Sequence, residues 1–142
     1  MDDKLTRKSQ EALSVAIRKA AANGNPQVDP LHLLAALLEQ ADGTAAPLLR
    51  AVGADPALIA KEAADQIGRL PRMHGVSTSA PETSRQLLAV INTAAGRARQ
   101  LDDEYVSTEH LLVGIAADGG QAATLLRAAR SEERRVGKEC VP

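Results

Sequence analysis

Two of the three histidines, His32 and His110, stand 78 residues apart in similar surroundings, Pro-Leu-His-Leu-Leu and Thr-Glu-His-Leu-Leu. Imidazoles at matching places could share a metal ion. A histidine metal site, however, recruits further ligands at i,i+4 or Cys-x-x-Cys spacing, and neither histidine has one. Both lie at helix starts, so their ring nitrogens are expected to bond to backbone or neighbouring side chains. No metal is expected.

Nucleotide chemistry has as little support. A phosphate loop needs Gly, four residues, then Gly-Lys-Ser/Thr. The one Gly-Lys pair, Gly137-Lys138, is followed by Glu139, and Glu132 takes the place of the first glycine. Serine, histidine and aspartate are present, but no serine lies in a Gly-x-Ser-x-Gly turn. The chain therefore offers no catalytic residues and no cofactor site of its own. Lys4, Arg7, Lys8, Arg18 and Lys19 make the polar face of the first helix basic. Their charge is balanced elsewhere to a net −1, so they are read as a solvated face and no nucleic-acid partner is expected.

These residues must be positioned by helices. With one Tyr and no Phe or Trp among 142 residues, the core has to be Leu, Ile, Val and Ala, which favours close-packed helices. Leu5, Ala12, Leu13, Ala16, Ile17, Ala20 and Ala21 form one stripe, stopped at Asn23-Gly24-Asn25-Pro26. Asp29-Pro30 opens a second helix, apolar almost all round and so expected inside the domain. Residues from about Thr44 to Val52 make a short third helix. Asp55-Pro56 opens a fourth, striped by Ile59, Ala63, Ile67 and Leu70. Residues 71–81 lack periodicity and read as a linker. Thr83 or Ser84 caps a fifth helix carrying Leu87, Leu88, Ile91, Ala94, Ala95, Ala98 and Leu101. Ser107 caps a sixth, and a seventh runs from about Gln121 to Ala129.

The halves repeat. Ser9–Ile17 aligns with Ser84–Asn92, His32 with His110, and Leu48-Leu49-Arg50-Ala51 with Leu125-Leu126-Arg127-Ala128. The chain is an internal duplication. The expected fold is all-α: two pseudo-twofold-related four-helix repeats in one globule. Repeat one is about 5–70, the linker 71–81 and repeat two about 82–129. One cysteine excludes an internal disulfide and fits the cytoplasm. No apolar run approaches the ~20 residues of a membrane span, and the polar start MDDKLTRKSQ lacks a signal-peptide core, so no membrane partner is expected.

The motifs DDEYVSTEHLL, PLHLLAALL, GTAAPLLRAVG and GRLPRMHG, in order across both repeats, resemble the Clp N-terminal (Clp repeat) domain over about Leu5 to Ala129. Leu70-Pro71 and Pro30-Leu31-His32 are most like the ClpB-type disaggregase branch. The ClpC branch typically has Thr-Glu-His in both repeats, whereas this chain has it only at Thr108-Glu109-His110. The resemblance implies a non-catalytic front module of an ATP-driven remodelling machine, which captures unfolded or aggregated client proteins. It also implies that Thr6, Asp103 and Glu109 line the client groove. From the residues alone, Thr6 reads as a helix cap and Glu109 as a first-turn acid facing the helix dipole. ATP and magnesium are expected only in ATPase modules outside this chain, and the whole protein is expected to be a homohexamer, this chain alone a monomer. An adaptor-docking domain of a protease-associated unfoldase, or a stand-alone helical regulator, is the alternative.

Residues 130–142 break the repeat. Where the first copy runs Val52-Gly53-Ala54-Asp55-Pro56, a stop and then a cap, the second has neither, and RSEERRVGKEC looks like translated sequencing adapter. These residues are read as a non-native tail replacing the eighth helix, with no role for Cys140.

Overall fold

Helix ends in this chain are set by short polar side chains that accept the otherwise unpaired N–H groups of the first turn. The structure, a computed structural model, describes residues 5–40, 43–72 and 81–128. Thr6 Oγ1 accepts from the Ser9 N–H (3.2 Å) and opens α1, Arg7–Ala22. Asp29 Oδ1 accepts from the Leu31 N–H (3.0 Å), with Pro30 in the first position, and opens α2, Pro30–Glu39. Asp55 caps α4, Pro56–Gly68, in the same way. Ser84 Oγ caps α5, Arg85–Gln100, through the Leu87 N–H (3.1 Å). The short α3 is Ala45–Ala51, α6 is Thr108–Asp118, and residues 121–128 form α7.

α2 is the central helix. Leu31, Leu33, Leu34 and Leu37 are buried, and the helix packs on α1, α3, α4, α5 and α6. That matches its all-round apolar sequence. The stripes of α1 and α5 are narrower than their apolar residues suggest. Ser9, Ala12, Ala16 and Ala20 face the core of α1, while Ile17 is 44% exposed and Ala21 is exposed. On α5, Leu88 and Leu101 turn outward. Small alanines on α1 let α2 lie close, and the larger residues at the stripe's edge are left at the surface.

The repeat register differs from the one expected near the first helix. Thr6 corresponds to Ser84 as N-cap, and the buried Ser9, Ala12, Ala16 and Ala20 fall on Leu87, Val90, Ala94 and Ala98. That is a constant offset of 78, shared with His32 and His110. Pairing Ser9 with Ser84 slips this by three residues. Three residues are nearly one helical turn, so an apolar pattern cannot distinguish the two alignments.

Both α1 and α5 end in the same motif. The Asn25 N–H reaches Ala20 O (2.9 Å) and the Gly24 N–H reaches Ala21 O (3.1 Å), with Gly24 at φ +73°. One repeat on, Asp103 reaches Ala98 O (2.8 Å) and Asp102 reaches Arg99 O (3.1 Å), with Asp102 at φ +58°. These bonds satisfy the last carbonyls through a left-handed residue.

Two features escape any periodicity. β1 (Gln27–Val28) pairs in parallel with β2 (Glu82–Thr83), through Glu82 N–H to Pro26 O (3.0 Å) and Ser84 N–H to Val28 O (3.2 Å). In the matching place, Leu5 bridges Val106 and the Thr6 N–H donates to Val106 O (3.1 Å). The segment before the first helix of each repeat is thus paired with the segment before the second helix of the other repeat.

α5 and α6 approach closely at Gly114, where a Cβ would lie 2.4 Å from Val90 O. Gly114→Ala must therefore push backbone against backbone, and a loss of about 1–3 kcal/mol is expected in a urea titration. Asp102→Gly should act oppositely, stabilising by up to about 1 kcal/mol by relieving the left-handed non-glycine residue. A lower midpoint for Asp102→Gly would contradict that account.

Candidate functional site

Each histidine is the third residue of its helix and folds back on the cap. The Asp29 N–H donates to His32 Nδ1 (2.9 Å), and the Ser107 N–H donates to His110 Nδ1 (2.9 Å). With Nδ1 accepting, the proton sits on Nε2. In the first repeat it points to Asn25 Oδ1 (2.9 Å) and in the second to Asp103 Oδ2 (3.0 Å), in both cases the residue seven positions earlier. Both rings thus make the backbone and side-chain bonds expected of helix-start histidines. Their lone pairs are occupied, and among the described residues no cluster of three metal-ligating side chains occurs. His74 and Cys140 lie outside the described residues.

The two networks end differently. Asn25, buried, also accepts from Asn23 Nδ2 (3.0 Å) and donates to Pro71 O (2.9 Å), while Asn23 Nδ2 also donates to Ile67 O (3.0 Å). These bonds tie the C-terminal end of α4 over the end of α1. In the second repeat Leu101 stands for Asn23 and Asp103 for Asn25. Among the described residues, a groove of about 530 Å³ lies there between the C-terminal end of α5 and the start of α6. Leu101 (54% exposed), Tyr105 (49%) and Val113 (44%) form its apolar wall, and Asp103, Glu104, Glu109 and Arg97 its polar rim.

The three residues expected to line a client groove are distributed as follows. Asp103 and Glu109 flank this groove together, and Glu109 is exposed in the first turn of α6. Thr6 is half-buried at the cap of α1, clasped to Val106 through its backbone, with Ser9 Oγ also donating to Val106 O (2.9 Å). It is not among the described residues lining the groove. Its cap role is that read from the residues alone. Leu101 is expected in the core stripe of the fifth helix, and neither Tyr105, in the loop before α6, nor Val113 carries a sequence signal of exposure. The 78-residue register would have exposed them, since Leu101 replaces Asn23 and Val113 replaces Ala35. The proposed tail, residues 130–142, lies outside the described residues, as does most of the linker. No described helix is long and apolar enough to cross a membrane.

Comparison with known proteins places the whole described region. The family model of the Clp repeat (R) N-terminal domain matches residues 4–129. The chaperone protein ClpB of Mycobacterium tuberculosis is 51% identical over 121 residues, covering 85% of this chain and 14% of that protein. ClpB of Corynebacterium diphtheriae is 48% identical over the same length, with the same coverage. The chain therefore spans about a seventh of the curated relatives it matches. Among solved structures, the Hsp104 N-terminal domain from Candida albicans has a TM-score of 0.77 at 20% identity, covering 89% of this chain and 82% of that one. The N-domain of ClpV from Vibrio cholerae has a TM-score of 0.74 at 17% identity, covering 95% and 84%. These two likenesses are of fold.

The first-repeat histidine makes stability depend on pH. Burial pushes the His32 pKa below its ordinary 6.5, partly opposed by the charge of Asp29 and reinforced by Lys19. Burial also raises Asp29 above 3.8, against the Leu31 N–H and His32. For His32 the unfolded chain takes up the proton first as pH falls. The stability held by the neutral ring is fully present above pH 6.5 and is lost as pH drops from there through the folded value. Asp29 works the other way, its contribution falling as pH rises through its raised value. Urea midpoints should therefore decline between about pH 7.5 and 5.5. His32→Gln keeps an acceptor for the cap but cannot be protonated, so its midpoint should be lower at neutral pH and flatter across this range. An unchanged slope would assign the effect elsewhere.

Proposed function

Because the chain belongs to the Clp repeat N-terminal domain family, we propose that it is the client-capturing front module of a ClpB-like disaggregase, without catalytic chemistry of its own. The observation that carries this reading is the second-repeat groove, where, among the described residues, Leu101, Tyr105 and Val113 share one concavity with an acidic rim. Exposed apolar side chains gathered in one place mark interaction surfaces. Apolar contact is non-directional and tolerates many sequences, while rim carboxylates accept hydrogen bonds from any backbone N–H. Affinity from so small and open a site is weak, on the order of micromolar or poorer, which lets clients leave.

In this reading Asp103 and Glu109 act at the groove itself. Thr6 supports it from behind, by fixing α1 to Val106 at the base of the Ser107 cap. The partners are unfolded or aggregated proteins in the cytoplasm. ATP and magnesium act in modules elsewhere in a hexameric protein, which pulls on what this domain has caught.

Titrating the protein with a permanently unfolded client, followed by NMR, tests the assignment. Asp103→Ala and Glu109→Ala should each weaken binding by about two- to tenfold, the loss of one hydrogen-bonded contact. Thr6→Ala should weaken it too, while costing about 1 kcal/mol of stability through the lost cap. Circular-dichroism melts separate the two effects. If Asp103→Ala and Glu109→Ala bind like the unaltered protein, the groove is not the capture site.

A further inference from the structure

The turn that ends α1 carries chemistry of its own. The chain has three asparagines, Asn23, Asn25 and Asn92, followed by Gly24, Pro26 and Thr93 respectively. An asparagine side chain can be attacked at Cγ by the main-chain nitrogen of the next residue. The nitrogen of proline has no proton to give up, and the branched side chain of threonine crowds its own nitrogen. Glycine has neither obstacle. Asn23–Gly24 is therefore the reactive pair.

The same asparagine holds the first repeat together. It is half-buried and is the C-cap of α1. Its Nδ2 donates to Asn25 Oδ1 (3.0 Å) and to Ile67 O (3.0 Å), near the end of α4. The Gly24 N–H is committed to Ala21 O (3.1 Å), with Gly24 left-handed at φ +73°. Bringing the Gly24 nitrogen onto Cγ breaks all three bonds. The folded turn thus restrains the pair, and local opening of the turn releases it. The second repeat has Leu101 and Asp102 in these places, with no amide to lose.

We propose that Asn23 is a deamidation site, restrained by the fold, whose reaction unlatches the end of α4. In the open turn the Gly24 nitrogen bonds to Asn23 Cγ. Its proton passes through water to the departing Nδ2, which leaves as ammonia as the Cγ–Nδ2 bond breaks. Water then adds to either carbonyl of the cyclic imide and reopens it to aspartate or isoaspartate. Aspartate puts a carboxylate where the donor stood. Asn25 Oδ1 and Ile67 O are acceptors and cannot bond to it. The new charge also lies at the C-terminal end of α1, where the helix dipole disfavours it. Lys19, one turn earlier, is already paired with Glu39. Isoaspartate reroutes the main chain through the side chain and lengthens the turn that the Gly24 and Asn25 N–H groups close. Neither product can restore the latch, so the change runs one way.

The test ages the 142-residue protein in warm, mildly alkaline buffer, either folded or unfolded in urea. Mass spectrometry with fragmentation follows the peptide that holds Asn23. Asn23 should gain the mass of an acid in place of an amide, at least about tenfold faster unfolded than folded. The consequence is read at Arg69 and Leu70, whose N–H groups close the end of α4 onto Gln66 O and Ile67 O. Asn23→Asp should lower the urea midpoint and speed amide exchange at both by about tenfold, the loss of one hydrogen bond. Aged protein, separated from the rest by ion exchange, should show the same faster exchange, independently of how well the variant folds. Equal rates in folded and unfolded protein overturn the inference, as does a mass gain at Asn25 in place of Asn23. An Asn23 that stays intact in the unfolded chain overturns it too. So does unaltered exchange at Arg69 and Leu70 in the aged protein, which would mean that the amide does not hold α4.

Discussion

The fold depends on a crossed backbone clasp. The strand Glu82–Thr83, just before α5, lies against Gln27–Val28, just before α2. Leu5, just before α1, lies against Val106, just before α6. The segment leading into a helix carries N–H and C=O groups that no helix satisfies, and burying them unpaired would be costly. The duplication meets this need reciprocally, each half supplying the other's partner. Once those four segments are fixed, the caps at Thr6, Asp29, Ser84 and Ser107 aim the helices that follow, and the aliphatic core closes between them.

Much of this was legible in sequence because it is written in strong local chemistry. Asp-Pro at a helix start, a Gly left-handed stop and the run around Leu33 and Leu34 each have one straightforward meaning. What was not legible is instructive. Two-residue strands have no period to detect, and their pairing joins residues over fifty positions apart. The register of α1 against α5 was misjudged because a three-residue slip preserves a helical stripe, and only the N-caps resolve it. Ile17 and Leu88 were counted with the core since a stripe's width is set by how closely the neighbouring helix approaches, and alanines brought that neighbour near. Of the site, the acids Asp103 and Glu109 came from family resemblance, whereas the apolar wall emerged only when exposure could be compared between the two repeats.

Comparing the repeats position by position shows where the two copies have diverged in sequence and bonding. The first uses Asn23 and Asn25 to hold the end of α4 by hydrogen bonds to Ile67 and Pro71. The second has an aliphatic and an acid at those places, and its face remains open among the described residues. The histidine box is common to both, which fits a scaffold role. What its second nitrogen meets, a buried amide or a carboxylate on the rim, is what differs.

The crossed clasp also has a consequence for the order of assembly. Ser9 Oγ and the Thr6 N–H both wait on Val106 O, about a hundred residues downstream. During synthesis the first helix can therefore form and pack on α2 well before its own leading edge is secured. Until the chain has emerged past that point, a nascent first half exposes an unpaired strand edge beside a partly covered apolar face. Such edges readily recruit other chains. A domain whose proposed task is to gather unfolded proteins would thus itself pass through a vulnerable stage while its second half is still being made, ended when that half arrives to close the pair.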